Sequence, residues 1–176
     1  IGGGGREHAI ANSLLLSPNL GELKVFPGNA GIPNHLILTN VQISIEDKEL
    51  FLKYLRSSNT DLVVVGPEDP LVKGLADWCE EVGVPCFGPS AYCAQIEGSK
   101  HFAKEMMQKA KVPTASYAVF SDHTSAWAYC QKQILPLVIK ADGLAAGKGV
   151  TVAFQKEEII QALDDIFLEQ KFGSSG

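Results

Sequence analysis

Pro136-Leu-Val-Ile-Lys140-Ala-Asp-Gly143-Leu-Ala-Ala-Gly147-Lys148-Gly149-Val-Thr-Val-Ala-Phe154 is the stretch on which the reading of this chain turns. Two short β-branched, apolar runs flank a loop of glycines and alanines, which predicts a strand, a glycine-rich turn and an antiparallel return strand. Small residues leave backbone N–H groups open to an anion, because glycine has no Cβ and tolerates positive φ. Lys140 at the end of the first strand and Lys148 in the loop add point charges suited to phosphate. The stretch therefore reads as a lid over a nucleoside triphosphate. The alternative is a glycine-rich hairpin with solvated lysines.

Two other phosphate loops are excluded by spacing. A Walker A loop needs four residues between its glycines and Ser or Thr after its lysine; here three residues separate Gly143 from Gly147, and Gly149 follows Lys148. A kinase glycine loop carries its lysine on the following strand, whereas Lys140 precedes this one.

Working outward, the 176 residues suffice for one large domain or two small ones. Apolar content of 45% and charged content of 20% belong to a globular protein. A formal charge of −5 supplies no basic footprint, so nucleic acid is not an expected partner. No apolar run reaches the length of a membrane span. Cys79, Cys86, Cys93 and Cys130 show no C-x-x-C spacing and read as reduced thiols of a cytoplasmic protein. Ile1 is followed at once by glycines, and the chain stops in Phe172-Gly-Ser-Ser-Gly176; both ends look cut, and a piece of a longer protein is expected.

Gly2 to Gly5 feed a helix with Ile10 and Leu14 on one face. A helix start behind glycines presents unpaired amides and a positive dipole end, suited to phosphate. Gly4, Gly5 and Arg6 are the ligand candidates there, against a plain strand-to-helix turn. The dinucleotide fingerprint fails, since it would need glycine at Glu7 or His8. Leu23 to Phe26 is a strand pattern, followed by Pro27-Gly-Asn29-Ala30-Gly31, where Asn29 can bond backbone or ligand. A looser alternation over 36–45 predicts another strand. Glu46 and Asp47 then sit at a helix start as dipole partners, ahead of Leu50-Phe51 and Tyr54-Leu55.

Asp61-Leu-Val-Val-Val65 is continuous and apolar, the mark of a central parallel strand. It runs into Gly66-Pro67-Glu68, and residues just past such a strand lie in the crevice where open α/β sheets bind ligands. Glu68 is the preferred ligand-facing acid, with helix capping by Glu68 or Asp69 as the alternative. One helix is predicted over Leu71, Leu75, Trp78 and Val82, and a last short strand over Pro85 to Phe87. The alternation predicts an α/β, doubly wound, Rossmann-like parallel-sheet domain over 1–98.

Ser99 caps a linking helix over 99–113 that carries Phe102 and Met106 on one face. Lys100 in its first turn opposes the helix dipole, and such conflicts collect at functional sites, although a solvated lysine is the commoner reason. Residues 114–176 predict a small α+β lid lobe: a strand at Tyr117 to Phe120, a helix from Asp122 to Gln133, the hairpin quoted above, and a helix from Lys156 to Glu169.

These residues together resemble the glycinamide ribonucleotide synthetase (phosphoribosylamine–glycine ligase) family of ATP-grasp enzymes. The resemblance is carried by Gly3-Gly-Gly-Arg-Glu-His-Ala9, Pro27-Gly-Asn-Ala-Gly31, Val64-Val-Gly-Pro-Glu68 with Pro70-Leu71, Phe87-Gly-Pro89, Ser99-Lys100 with Phe102-Ala-Lys104, and Val138-Ile-Lys-Ala-Asp-Gly-Leu-Ala-Ala-Gly-Lys-Gly-Val150. It implies an N-terminal substrate domain over 1–98 and the first part of an ATP-grasp domain over 99–176. It further implies glycine and 5-phosphoribosylamine as substrates, and ATP contacts at Lys100, Lys140, Gly143, Gly147, Lys148 and Gly149. Phosphoribosylamine would be held by Gly4, Gly5, Arg6, Asn29, Ala30, Gly31, Gly66, Pro67 and Glu68. Catalytic residues, the ligands of Mg2+ (or Mn2+) and the adenine-binding segment are expected beyond Gly176, which predicts that residues 1–176 alone are inactive. A biotin-carboxylase-like sibling and a non-catalytic nucleotide-binding module are the rival readings.

Overall fold

The computed structural model describes residues 1–39, 41–143 and 148–173. They fall into two units, Ile1–Ala94 and Gln95–Gly176.

In the first unit, main-chain hydrogen bonds order five extended segments into one parallel arrangement. The Ile1 nitrogen donates to the Val64 carbonyl (2.6 Å), and the Gly66 amide returns to the Ile1 carbonyl (3.1 Å). On the other side of this segment, Gly2 N reaches Phe26 O at 2.8 Å and Gly28 N reaches Gly2 O at 3.1 Å. Val25 and Leu38 continue the ladder outward, through Val25 N to Leu36 O (2.7 Å) and Leu38 N to Val25 O (2.9 Å). Strand β1 (Val63–Val64) pairs in parallel with β2 (Cys86–Phe87), Val63 opposite Cys86. The spatial order is therefore 36–38, 25–28, 1–2, 63–65, 85–87. Numbered along the chain, this is 3-2-1-4-5, and the order reverses between the segment at residues 1–2 and β1.

The helices follow local signals. Helix α1 (Gly5–Leu15) starts behind the glycines, and α2 (Lys48–Ser57) is capped by Asp47, whose carboxylate accepts from the Leu50 amide at 3.1 Å. The single helix expected over 71–82 is two: α3 (Glu68–Val72) and α4 (Leu75–Glu81). Gly74 between them adopts φ +96°, a left-handed conformation that ends one helix before the next begins. The strand expected over 36–45 reduces to a 3-10 turn (Asn34–Leu36) and a single bridge at Ile37, because among the described residues of that span only 36–38 join the ladder. Helix α5 (Ala91–Gly98) was not foreseen. It has little amphipathic pattern to betray it, and its first amide, at Ala91, is taken by Asp77 Oδ2 at 2.7 Å, a partner distant in sequence. One core gathers Phe51, Leu55, Val63, Val65, Leu71, Leu75 and Cys79, and a separate one gathers Ala11, Val25, Ile32 and Leu36.

In the second unit, α6 (Lys100–Lys109) is capped by Ser99, as its sequence predicts, and α7 (His123–Cys130) is capped by Asp122. The hairpin is β3 (Leu137–Lys140) against β4 (Val150–Ala153), antiparallel, with Lys140 opposite Val150. Its inward positions, Leu137, Ile139 and Ala153, pack with Ala126, Cys130, Ile159 and Leu163 from α7 and α8 (Lys156–Phe167). Each such side chain removed from water contributes roughly 1.5–3 kcal/mol when large. The strand expected at Tyr117 to Phe120 is irregular chain outside any ladder, with only Phe120 joining this core. Its alternation is right for a strand, but no neighbouring strand among the described residues takes up its main-chain groups.

Candidate functional site

The first unit gathers its candidate residues where the strand order reverses. Gly2 takes φ +128°, and a Cβ there or on Gly66 would overlap the Glu7 side chain. Glu7 is thus wedged between the ends of two central segments, only 9 % exposed, with Oε2 accepting the Gly4 amide at 2.6 Å. Glu7 escaped the sequence reading as a site residue; an acid in the first turn behind a glycine run was the available signal.

Around it, Arg6 Nη1 donates to the Gly66 carbonyl (3.1 Å) and to Glu68 Oε1 (3.2 Å). Glu68 is therefore a partner of Arg6, and the side chains of Glu68 and Asp69 do not cap α3: Asp69 pairs with Lys73 at 2.7 Å. The main-chain amide of Glu68 itself, and after it Arg6, hold the Glu68 carboxyl below its ordinary range. Pro67 lies against Gly2. Asn29 spends its side chain on backbone: Nδ2 donates to Gly3 O (3.2 Å) and Gly4 O (3.1 Å), and Oδ1 accepts from Gly31 N (2.8 Å). It staples two loops of the crevice together. Gly31 has no room for a side chain, since a Cβ would stand 2.8 Å from the His8 ring; Ala30 is exposed beside it. Gly4, Arg6, Asn29, Gly31, Gly66 and Glu68 are thus joined by direct contacts at the carboxyl ends of the parallel segments, the position where open α/β sheets bind ligands.

The second unit brings Lys100 to the glycine loop. Lys100 Nζ donates to the Gly143 carbonyl at 2.8 Å. Gly143 has φ +90°, which favours glycine. Asp142, also missed as a site residue, accepts from Ser99 Oγ (2.9 Å), Lys100 N (2.5 Å) and His101 N (3.3 Å). Burial opposes ionisation of this carboxyl, but the hydrogen bonds from Ser99 and from the His101, Lys100 and Gly143 amides outweigh it and hold it below its ordinary range. No local signal marked Asp142, whose partners at Ser99, Lys100 and His101 lie more than forty residues away in sequence.

The loop's base is closed by Ala141 N to Gly149 O at 2.8 Å, with Gly149 buried. Lys140 is exposed on the outward face of the hairpin with Val138, Val150 and Val152, and Lys148 is exposed as well. Gly147 lies outside the described residues. This face therefore offers one exposed ammonium amid apolar side chains, next to a loop held to Lys100. Among the described residues no three His, Cys, Asp or Glu side chains converge as a metal site, and no helix is long and apolar enough to cross a membrane.

Comparison with known proteins agrees with this division. Residues 1–97 match the phosphoribosylglycinamide synthetase N domain, and residues 98–176 match the ATP-grasp (A) domain of the same enzyme. The chain belongs to the phosphoribosylglycinamide synthetase family. Curated relatives named phosphoribosylamine–glycine ligase include those of Leptospira interrogans serogroup Icterohaemorrhagiae serovar copenhageni (54% identical over 176 residues) and Nostoc sp. (49% over 176 residues). Each comparison covers 100% of this chain and 41% of the relative, so this synthetase-family chain spans about two fifths of the length of the curated relatives it matches. The crystal structure of the Thermotoga maritima phosphoribosylamine–glycine ligase is similar with a TM-score of 0.65 and 34% identity, covering 91% of this chain and 36% of that one. As the sequence resemblance implied, the fold is an α/β N domain with a parallel sheet followed by the start of an ATP-grasp domain.

Proposed function

We propose that this chain is part of an ATP-dependent ligase joining glycine to 5-phosphoribosylamine in de novo purine biosynthesis. The observation that carries the reading is the junction of Lys100 with the root of the glycine loop, in a chain whose two halves match this family in order. Residues 1–98 serve the phosphoribosylamine side. Residues 99–176 serve the nucleotide side, with 99–113 as linking helix and 114–176 as the small lobe. Lys100, Lys140 and Lys148 neutralise the triphosphate, and the loop glycines Gly143, Gly147 and Gly149 let main-chain amides approach it. Arg6, with Glu68 orienting its guanidinium, is a cation suited to the ribose phosphate. The backbone of 4–5, 29–31 and 66–67 shapes the surrounding crevice.

The glycine carboxylate takes the γ-phosphoryl group of ATP, leaving ADP. The amine of phosphoribosylamine then attacks the acyl carbon, phosphate departs, and the amine loses a proton. A closed loop over the phosphates keeps water from the acyl phosphate. Residues outside these 176 are proposed to hold Mg2+ or Mn2+ and to supply the remaining catalytic groups, so residues 1–176 alone are expected to release no glycine-dependent ADP. The reaction is placed in the cytoplasm, and small molecules are its partners.

The test uses the full-length ligase with Lys100→Ala and Lys140→Ala, following ADP release at varied ATP. Each substitution is expected to raise the KM for ATP or lower kcat by about tenfold or more, the loss from one charge-assisted contact to phosphate. Unchanged kinetic constants for ATP in both variants would overturn the assignment.

A further inference from the structure

A helix begins with main-chain amides that have no partner within it, and such a start can serve an anion. In α6 these amides are already committed within the chain. Ala103 N makes the first helical bond, to Ser99 O at 3.0 Å. Phe102 N donates to Ser99 Oγ at 3.1 Å, and Lys100 N and His101 N both donate to Asp142 Oδ1. The Ser99 hydroxyl donates to Asp142 Oδ2 at 2.9 Å. The carboxylate thus occupies the place a phosphate oxygen would take at this helix start, and Lys100 can meet a phosphate only through its ammonium.

That ammonium is aimed by the neighbouring residue. Lys100 Nζ donates to Gly143 O at 2.8 Å, so the lysine is held at both ends by two consecutive residues. Asp142 takes its amide, and Gly143 takes its side chain. Ala141 N to Gly149 O, at 2.8 Å, ties the same short segment to the base of the loop. Removing the Asp142 carboxylate would strip a partner from the Lys100, His101 and Gly143 amides and from the Ser99 hydroxyl, and release the segment that carries Gly143.

We propose that Asp142 is a positioning residue for nucleotide binding, holding the first turn of α6 to the root of the glycine loop so that the Lys100 ammonium faces the triphosphate. This rests on the reading of Lys100 as a phosphate ligand, and the experiment separates the two. In the full-length ligase, Lys100→Ala, Asp142→Ala, Asp142→Asn and the double variant Lys100→Ala/Asp142→Ala are compared for kcat, KM for ATP and KM for glycine, with thermal unfolding of each.

Asp142→Ala is expected to raise the KM for ATP about tenfold while the KM for glycine moves less than roughly twofold, a split that a general loss of folded protein does not produce. Asparagine keeps an acceptor for the Lys100 and His101 amides, so Asp142→Asn is expected to fall between wild type and alanine. In the Lys100→Ala background, Asp142→Ala should add less than about twofold, because its effect passes through the lysine. If Asp142→Ala does not fold, Asp142→Asn and Ser99→Ala carry the same comparison. Unchanged kcat and KM for ATP in Lys100→Ala overturn the reading of the lysine. A raised KM there with unchanged values in the Asp142 variants overturns the role of Asp142 alone. So does an effect of Asp142→Ala that persists in full without the lysine.

Discussion

Replacing Gly66 with alanine tests whether the crevice of the first unit is built around Glu7. Gly66 does not occupy the left-handed region, so the objection to a side chain is steric. The added Cβ would overlap Glu7 Oε1 and Cγ and stand 2.7 Å from Cδ, and Glu7 is only 9 % exposed. Either the surrounding main chain shifts, an overpacking cost of about 1–3 kcal/mol, or Glu7 swings out. The second course forfeits its 2.6 Å bond from the Gly4 amide, a charge-assisted contact of roughly 1.5–3 kcal/mol. Because the cheaper course is taken, or a mixture of both, the expected loss is about 1–3 kcal/mol.

Gly5→Ala is the control: a Cβ at Gly5 meets nothing within 4 Å, and the residue opens α1. Its expected effect runs from none to a gain of about 1 kcal/mol. The assay is urea unfolding followed by tryptophan fluorescence in a Trp127→Phe background, which leaves Trp78, packed on Phe51 at 6.2 Å between ring centroids, to report the first unit. A Gly66→Ala variant within about 0.5 kcal/mol of wild type, or a Gly5→Ala variant equally damaged, would refute the wedge.

Ile159→Ala removes a side chain that is 1 % exposed between the helices and the hairpin. It is expected to cost about 2–5 kcal/mol in urea unfolding, whereas the exposed Val152→Thr on the opposite face of the hairpin should stay within about 0.5 kcal/mol. Acid should weaken both units in a defined window. Glu68 and Asp142 titrate below their ordinary 4.5 and 3.8, so the charged forms favour the folded state. Their contribution is complete above those values and is lost as pH falls through the lower folded ones. The stability gap between wild type and Asp142→Asn should therefore be widest above about pH 5 and shrink toward about pH 3; a gap that stays constant to that pH would contradict the assignment.

The local elements were legible where the cause is local. The β3–β4 hairpin follows from β-branched alternation around small residues, the Ser99 cap from a side chain placed just ahead of an apolar period, and α8 from its periodicity. The helix pair α3–α4 read as one because the pattern of Leu71, Leu75 and Val82 runs straight through Gly74, and only the main-chain conformation shows the break. Helix α5 lacked a periodic stripe, and its cap comes from Asp77, fourteen residues away.

Of the candidate site, the glycine positions and the lysines were visible as residue types whose chemistry suits phosphate. The residues that place them were not. Asp142 reaches across more than forty residues to α6, and the Gly66 carbonyl meets Arg6 across sixty. By itself the sequence determined that a parallel α/β half precedes a glycine-loop hairpin, because backbone preference and hydrophobic period act within a few residues. Only the tertiary structure decided the 3-2-1-4-5 order, the burial of Glu7 between two glycines and the commitment of the α6 amides to Asp142, because each depends on distant segments meeting and on polar groups that must find partners once they do.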